Sequence, residues 1–301
     1  MKVDEPYPTS LMSAPMIIDT DAGGDPDDAF ALIVAAAEPT LALVVTSDEL
    51  GGERARFVRH LLDLLGRPEV PVVAGADLGN TRLNCIEDLV PPEVPHQPTD
   101  VLAAVTAVCS STDGLVRWVG IGTASNLAPL LARRYKLADR LLVSQVGGAL
   151  QYRDPERADH NFRTDIKAAS VLVAKARVPR LQLSELTFTP AVEVGKGSPL
   201  HLLLSDPSGP PWARLVAAHL DQWYERFHHA TMQHDALALA DALGLPFTDY
   251  SRHRIAIDKR GRTTLAHKGT DVLLSDGARL EPYMRWLTEK VEAAYKQEST
   301  A

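Results

Sequence analysis

Cysteine is scarce: Cys85 and Cys109 are the only two in 301 residues. They show no metal-type spacing, which argues against a disulfide framework and a thiolate metal site. Reduced thiols filling gaps in a core are expected instead. Positive charge is also in deficit. Lys and Arg number 31 against 39 Asp and Glu, a formal net charge of −8. That balance argues against a nucleic-acid polymer or an anionic membrane as partner and leaves small molecules open. No apolar run is long enough to span a bilayer. The opening MKVDEPYPTSLMSAP lacks the apolar stretch of a secretory signal, so a soluble, cytoplasmic protein is expected.

What the chain does have is apolar residues, 45% of the total, enough for a sizeable core. They fall in runs that alternate with helical patterns. Strands are expected at 15–19, 41–47, 70–76, 115–122, 140–148 and 180–186. Helices are expected at 27–38, 53–66, about 100–110, 125–135 and 165–176. Strands that are apolar throughout, with helices between them, predict a doubly wound α/β fold: a largely parallel sheet covered on both faces. Helix should dominate 211–243, a hairpin should turn at DKRG within 253–267, and a helix should run from about 278 to 296. No repeat and no linker divides the chain, so one domain over 1–301 is expected.

Ligands of such sheets collect beyond the carboxyl ends of the strands. One segment there stands out. The stretch IIDTDAGGDPDDAFAL, residues 17–32, holds Asp19, Asp21, Asp25, Asp27 and Asp28. Asp19 and Asp21 point to one side of a strand end, and Asp27 and Asp28 open a helix whose dipole favours carboxylates by about 0.3–1 kcal/mol each. A capped helix explains one or two of these aspartates but not five. Clustered carboxylates repel one another, so a cation among them is expected, and hard oxygen donors suit Ca²⁺ or Mg²⁺. An EF-hand loop fails, because Phe30 stands where its bidentate Glu belongs. A haloacid-dehalogenase phosphatase would want Thr or Val where Gly23 stands.

The stretch DTDAGGDPDDAFAL resembles the amino-terminal signature of the inosine-uridine-preferring nucleoside hydrolases, with Ala22 for Pro and two extra residues before Asp27. Further blocks in family order resemble this chain at GRPEVPVVAGA (66–76), GTASNLAPLL (122–131), VGGALQYRDPERADHNFRTDIKAA (146–169) and HDALALADAL (234–243). The resemblance implies a nucleoside hydrolase-like fold and Ca²⁺-dependent hydrolysis of the N-glycosidic bond of a ribonucleoside, releasing base and ribose. It implies Ca²⁺ ligands at Asp21, Asp28, the Ser125 carbonyl and Asp235. Asp25 keeps the family's spacing from Asp21 and Asp28 keeps its helix; Asp28 is favoured because the helix fixes its direction. Asp21 would also be the base that takes a proton from water, and His234 would protonate the departing base. Should His234 fail in that role, His160, His228 and His229 come next. Asp27, Asp159, Asn161 and Asp235 would bind the sugar, and a homodimer or homotetramer is implied.

The chain departs from the pattern around the sugar and the base. LGGE lacks the family's Asn after the second strand, leaving Asp48 as a substitute. Asp159-His160 replaces Glu-Phe, and Arg153 or Asp154 replaces an upstream Asn. Retained hydrolysis of a modified or unusual nucleoside is expected, with extra room near the sugar's 5′ side. The alternatives are a metal-dependent phosphatase and a non-catalytic nucleoside-binding protein on the same fold. Ser125 has a second reading, as N-cap of the helix that follows. GIG at 120–122 begins like a dinucleotide fingerprint, but Ser125 takes the third glycine's place. No Gly-x-x-x-x-Gly-Lys loop occurs, so phosphate recognition is not expected.

Overall fold

A computed structural model of the protein describes residues 11–298. Residues 1–10 and 299–301, where the expected signal-free start and the ends of a 1–301 domain fall, lie outside the described residues. The strands are β1 (Met16–Thr20), β2 (Leu41–Thr46), β3 (Val72–Ala74), β4 (Val116–Gly120), β5 (Leu141–Val146) and β6 (Arg180–Gln182). They continue with β7 (Glu193–Gly195), β8 (Ala230–Met232), β9 (Thr248–Ile257), β10 (Thr263–Leu265) and β11 (Thr270–Ala278). The helices of the first half are α1 (Asp27–Ala36), α2 (Glu53–Leu64), α3 (Val101–Ser110), α4 (Leu127–Arg133), α5 (Tyr135–Ala138) and α6 (His160–Thr164). Then follow α7 (Ile166–Lys175), α8 (Pro199–Leu204), α9 (Pro211–Arg226), α10 (Asp235–Ala242) and α11 (Leu280–Glu298).

Nine strands form one sheet in the order β10-β9-β11-β6-β5-β4-β1-β2-β3, and β7 pairs with β8 apart from it. From β3 to β11 every neighbouring pair of this sheet is parallel, and β9 pairs antiparallel with both β11 and β10. The doubly wound expectation holds. All five positions of β1 and of β4 are buried, as strands with both faces covered require. Their side chains divide by alternation. Ile18, Val44 and Val119 join Phe30, Phe57, Leu237 and Tyr283 in one core layer. Ile17, Val45 and Trp118 join Val105, Leu131 and Leu172 in the other.

The chain leaves β1 toward β2 on one side, while β4 is its neighbour on the other. The segments after β1 and β4 therefore part at a topological switch point, where a crevice opens. Close contact holds this point together: the Ile121 and Gly122 amides donate to the Asp19 carbonyl at 2.7 and 3.1 Å. At Gly122 a Cβ would lie 2.8 Å from the Asp21 nitrogen, so only glycine fits.

The second half follows expectation in part. Helix does dominate 211–243, as α9 and α10, with β8 pairing antiparallel with β7 between them. The segment TDVLLSDGA, without an expected strand, is β11; Val272 and Leu274 alternate into the core. The hairpin does turn at DKRG, where Asp258 accepts the Arg260 and Arg262 amides at 2.8 and 3.0 Å. Among the described residues no helix is long and apolar enough to cross a membrane.

Candidate active site

The amino termini of α1 and α10 meet at the carboxyl end of the sheet. Gly23, at φ 104°, lets the chain turn sharply after β1 and start α1 with Asp27 and Asp28. Asp235 opens α10, which packs against α1. The two helix starts touch directly, since the His234 amide donates to Asp27 Oδ2 at 3.3 Å. Asp27, Asp28 and Asp235 are all buried and can bring one carboxylate oxygen each within 4.8 Å of the others. They lie at the buried end of a cavity of about 490 Å³, which Asp21 and Asp25 also line.

So much unpaired acid is held at an energetic cost. Burial first, then mutual repulsion, drives the Asp27, Asp28 and Asp235 carboxyls well above the usual carboxylate range. Asp25, bonded by the Thr231 hydroxyl, is pushed by burial to about 7. Asp21 is raised by burial and drawn back by the Arg54 guanidinium. That arginine is a site residue the sequence reading missed. It is 1% exposed, and it donates to the carbonyls of Asp48 (2.7 Å), Ala22 (3.1 Å) and Leu83 (2.9 Å), and to that of Asp21. A fixed positive charge thus stands beneath the turn.

The donor set fits a hard divalent cation. Three buried carboxylates converge, none has a Lys or Arg within ion-pair distance among the described residues, and neither thiol nor imidazole is among the three. Asp21 lines the same cavity and stands beside this triad rather than within it. Asp27, expected to touch only sugar, belongs to the triad itself. Asp19 is turned elsewhere: its Oδ1 accepts the Asn126 amide at 2.8 Å.

His234 also lines the cavity. Its Nδ1 is hydrogen-bonded to the Thr187 hydroxyl, and its ring meets Phe188 edge-on at 5.1 Å. Burial and the nearby Arg153 cation lower it to about 4, so it is a neutral imidazole at pH 7. Asp159 caps α6, accepting the Phe162 amide at 3.0 Å, and Asn161 donates to the Ile121 and Val146 carbonyls at 3.1 and 3.0 Å. Both line the cavity. His160 does too, with Nε2 3.9 Å from Asp21 Oδ2. His228 and Arg153 are further lining residues, whereas Ser125, His229, Asp48 and Asp154 are not. The Ser125 hydroxyl donates to Asp165 at 2.7 Å and does not cap α4. Asp48 instead takes the amide of Asn80, which itself reaches the cavity. Tyr152, Phe188, Trp223 and Phe227 supply aromatic walls. These come from loops and helix ends whose meeting no local spacing reveals.

With this geometry in place the chain can be set beside known proteins. Residues 16–294 match the family model of the inosine-uridine preferring nucleoside hydrolases. The chain belongs to that family. Among curated relatives, the pyrimidine-specific ribonucleoside hydrolase RihA of Photobacterium profundum is 29% identical over 184 residues, 52% of this chain and 59% of that protein. RihA of Enterobacter sp. (strain 638) is 31% identical over 180 residues, 54% of this chain and 56% of that protein. The chain thus spans less than two thirds of the length of the curated relatives it matches. A solved purine-preferring ribonucleoside hydrolase from Gardnerella vaginalis superposes with a TM-score of 0.78 at 19% identity, covering 94% of this chain and 99% of that one. A plant nucleoside hydrolase gives 0.74 at 19% identity, over 93% and 99%. At such identities the likeness is one of fold. The family membership displaces the haloacid-dehalogenase alternative.

Proposed function

We propose that this cavity hydrolyses the N-glycosidic bond of a ribonucleoside with Ca²⁺ as its cation. The observation that carries the reading is the buried convergence of Asp27, Asp28 and Asp235 at the end of an aromatic-walled cavity. Asp28 and Asp235, with Asp21 and the Ser125 carbonyl, would hold the ion, and the position of Asp27 adds it to that set. Asp25, which stands outside the convergent triad, is the weaker claimant to the second ligand position. A divalent cation there supplies positive charge that binds a sugar diol and makes a neighbouring water more acidic.

The protein's own groups do the rest. Asp21 takes a proton from the water whose oxygen bonds C1′ as the C1′–N bond breaks with its electron pair passing to the base. Asp27, Asp235, Asp159 and Asn161 hold the sugar in place; Asn161, with its amide hydrogens spent on two carbonyls, presents its Oδ1. Carboxylates around the sugar favour the oxocarbenium-like positive charge of the transition state. His234 returns a proton to the base. Its Nδ1 is engaged with the Thr187 hydroxyl, so the proton would pass from Nε2. The same reading has one domain over 1–301 acting in the cytoplasm as a homodimer or homotetramer.

The test is a panel of ribonucleosides incubated with protein and Ca²⁺, reading free base and free ribose. Release of both from at least one nucleoside is expected, abolished by a chelator. Binding of nucleosides with no release from any would leave a nucleoside-binding protein instead.

A further inference from the structure

Resting on the ribosyl-hydrolase reading above, we infer that the substrate carries an anionic group, a phosphate or carboxylate, seated against the solvent-reaching arginines that line the cavity, Arg82, Arg153, Arg157 and Arg163. The charged residues that line the cavity differ in exposure. The carboxylates of Asp27, Asp28 and Asp235 are buried, and Arg54, beside the acids, is the one buried arginine among the lining residues. Of the other arginines in the lining, Arg82, Arg153 and Arg157 are exposed and Arg163 is half-buried. In a chain of net charge −8, such a gathering is against the average.

None of the four has a carboxylate oxygen within 4.0 Å among the described residues. Some arginines elsewhere do find one, as Arg56 does at Glu53, Arg226 at Glu87 and Arg262 at Asp258. Acids close in sequence to the four are already taken. Glu156 pairs with Arg260, and Asp154 accepts the Glu156 amide. Two of the guanidiniums are also held in position. Arg153 lies over the Phe188 ring at 4.5 Å and near Tyr152 at 5.8 Å. Arg163 donates to the Ala158 carbonyl at 3.1 Å and the Tyr152 hydroxyl at 3.3 Å, and is hydrogen-bonded to His160.

A neutral nucleoside gives these cations nothing to neutralise, and like charges lining one cavity repel one another. An anion relieves that repulsion, and guanidinium forks bind phosphate or carboxylate in bidentate fashion. This revises the expectation drawn from the missing glycine-rich loop, because arginine forks need no such loop. Two substrates supply the chemistry: a nucleoside 5′-monophosphate, or a ribonucleoside whose base bears a carboxylate. In either case water adds across the C1′–N bond and the anionic group is unchanged. The products are ribose 5-phosphate and a neutral base, or ribose and an acidic base.

The test compares uridine, uridine 5′-monophosphate and orotidine for release of base in Ca²⁺ at low salt. Calorimetry on the same protein compares ribose 5-phosphate with ribose and orotate with uracil. One anionic member should be preferred over its neutral counterpart by about tenfold or more, and the preference should shrink as salt screens it. Arg153→Gln with Arg157→Gln should lower that ratio by about 10- to 100-fold, the range for charge-assisted hydrogen bonds. The inference is overturned if neutral compounds match or exceed anionic ones in both measurements, or if the ratio ignores the double substitution. Failure of the two readings separates cleanly. Neutral nucleosides cleaved without anionic preference would sink this inference alone. Ribose 5-phosphate bound over ribose by a protein that cleaves nothing would sink the hydrolase reading alone.

Discussion

At the residue scale the sharpest question is what His234 does, because its environment makes it a neutral ring at pH 7. A protonating group is needed when a poor leaving group departs and is superfluous for p-nitrophenolate. His234→Ala should therefore slow a natural nucleoside by about 10²–10⁴, the usual worth of general-acid help, while p-nitrophenyl riboside is hardly affected. Asp21→Ala should slow both, since water activation is common to them. Equal losses on both substrates in His234→Ala would reduce the histidine to an anchor for Asp235 and move the proton source to His160 or His228, which share the cavity. Asp159 poses a related question. The sequence suggested a shortened sugar contact, and the structure shows its carboxylate capping α6. Asp159→Asn keeps a capping side chain and removes the charge, so it should spare the melting temperature while lowering kcat/KM. Asp159→Ala should lose about 0.5–2 kcal/mol of stability as well. If Asp159→Asn proves as active as the parent, the residue is a cap and nothing more.

At the element scale, much of the fold was legible because the first half of the chain is built from strands buried on both faces. Apolar runs such as MIIDT and LALVVT identify themselves. The second half hides its strands. β8 is three residues long and sits between helices, too short for any period to show. β11 alternates, but its DVLLSD core reads equally as a helix approach to α11. The site divides along the same line. Asp21, Asp27 and Asp28 share one turn, and Asp235 carries the helix start that meets it, so local sequence announces them. Arg54 is invisible in that way, because its role arises only where α2 packs under the turn after β1. Arg54→Met removes hydrogen bonds to four carbonyls and the fixed cation beneath the acids. Left unpaired, buried polar groups cost roughly 1–3 kcal/mol each, so a loss of several kcal/mol is expected in denaturant unfolding. A loss under about 1 kcal/mol, below that range, would mean that water replaces the guanidinium without penalty.

At the scale of the whole molecule, buried acid sets how stability answers to pH and to metal. Asp241 is the clearest single case, away from the triad and facing Arg180 at 3.3 Å. Burial raises it from 3.8 to about 6 despite that partner. The native state then holds a proton that the unfolded chain has released between about pH 4 and 6, so stability falls as pH rises through that window. About two pKa steps make the effect at most about 3 kcal/mol, and it is fully expressed above about pH 6. Asp241→Asn should flatten the slope there by close to one proton, and an unchanged slope would place the carboxyl's native pKa near its ordinary value. The acids at the end of the cavity obey the same sign more strongly when nothing neutralises them. A cation that binds the native arrangement and not the unfolded chain should thus stabilise by about 2.7 kcal/mol at a hundredfold excess over Kd. In a chain of this length that is a rise of several degrees in Tm. Asp28→Asn with Asp235→Asn should raise Tm in the absence of metal, by removing repulsion, and abolish the further rise on adding Ca²⁺. A chain whose Tm ignores Ca²⁺ at millimolar concentration, before and after that double change, would hold its aspartates for some purpose other than a cation.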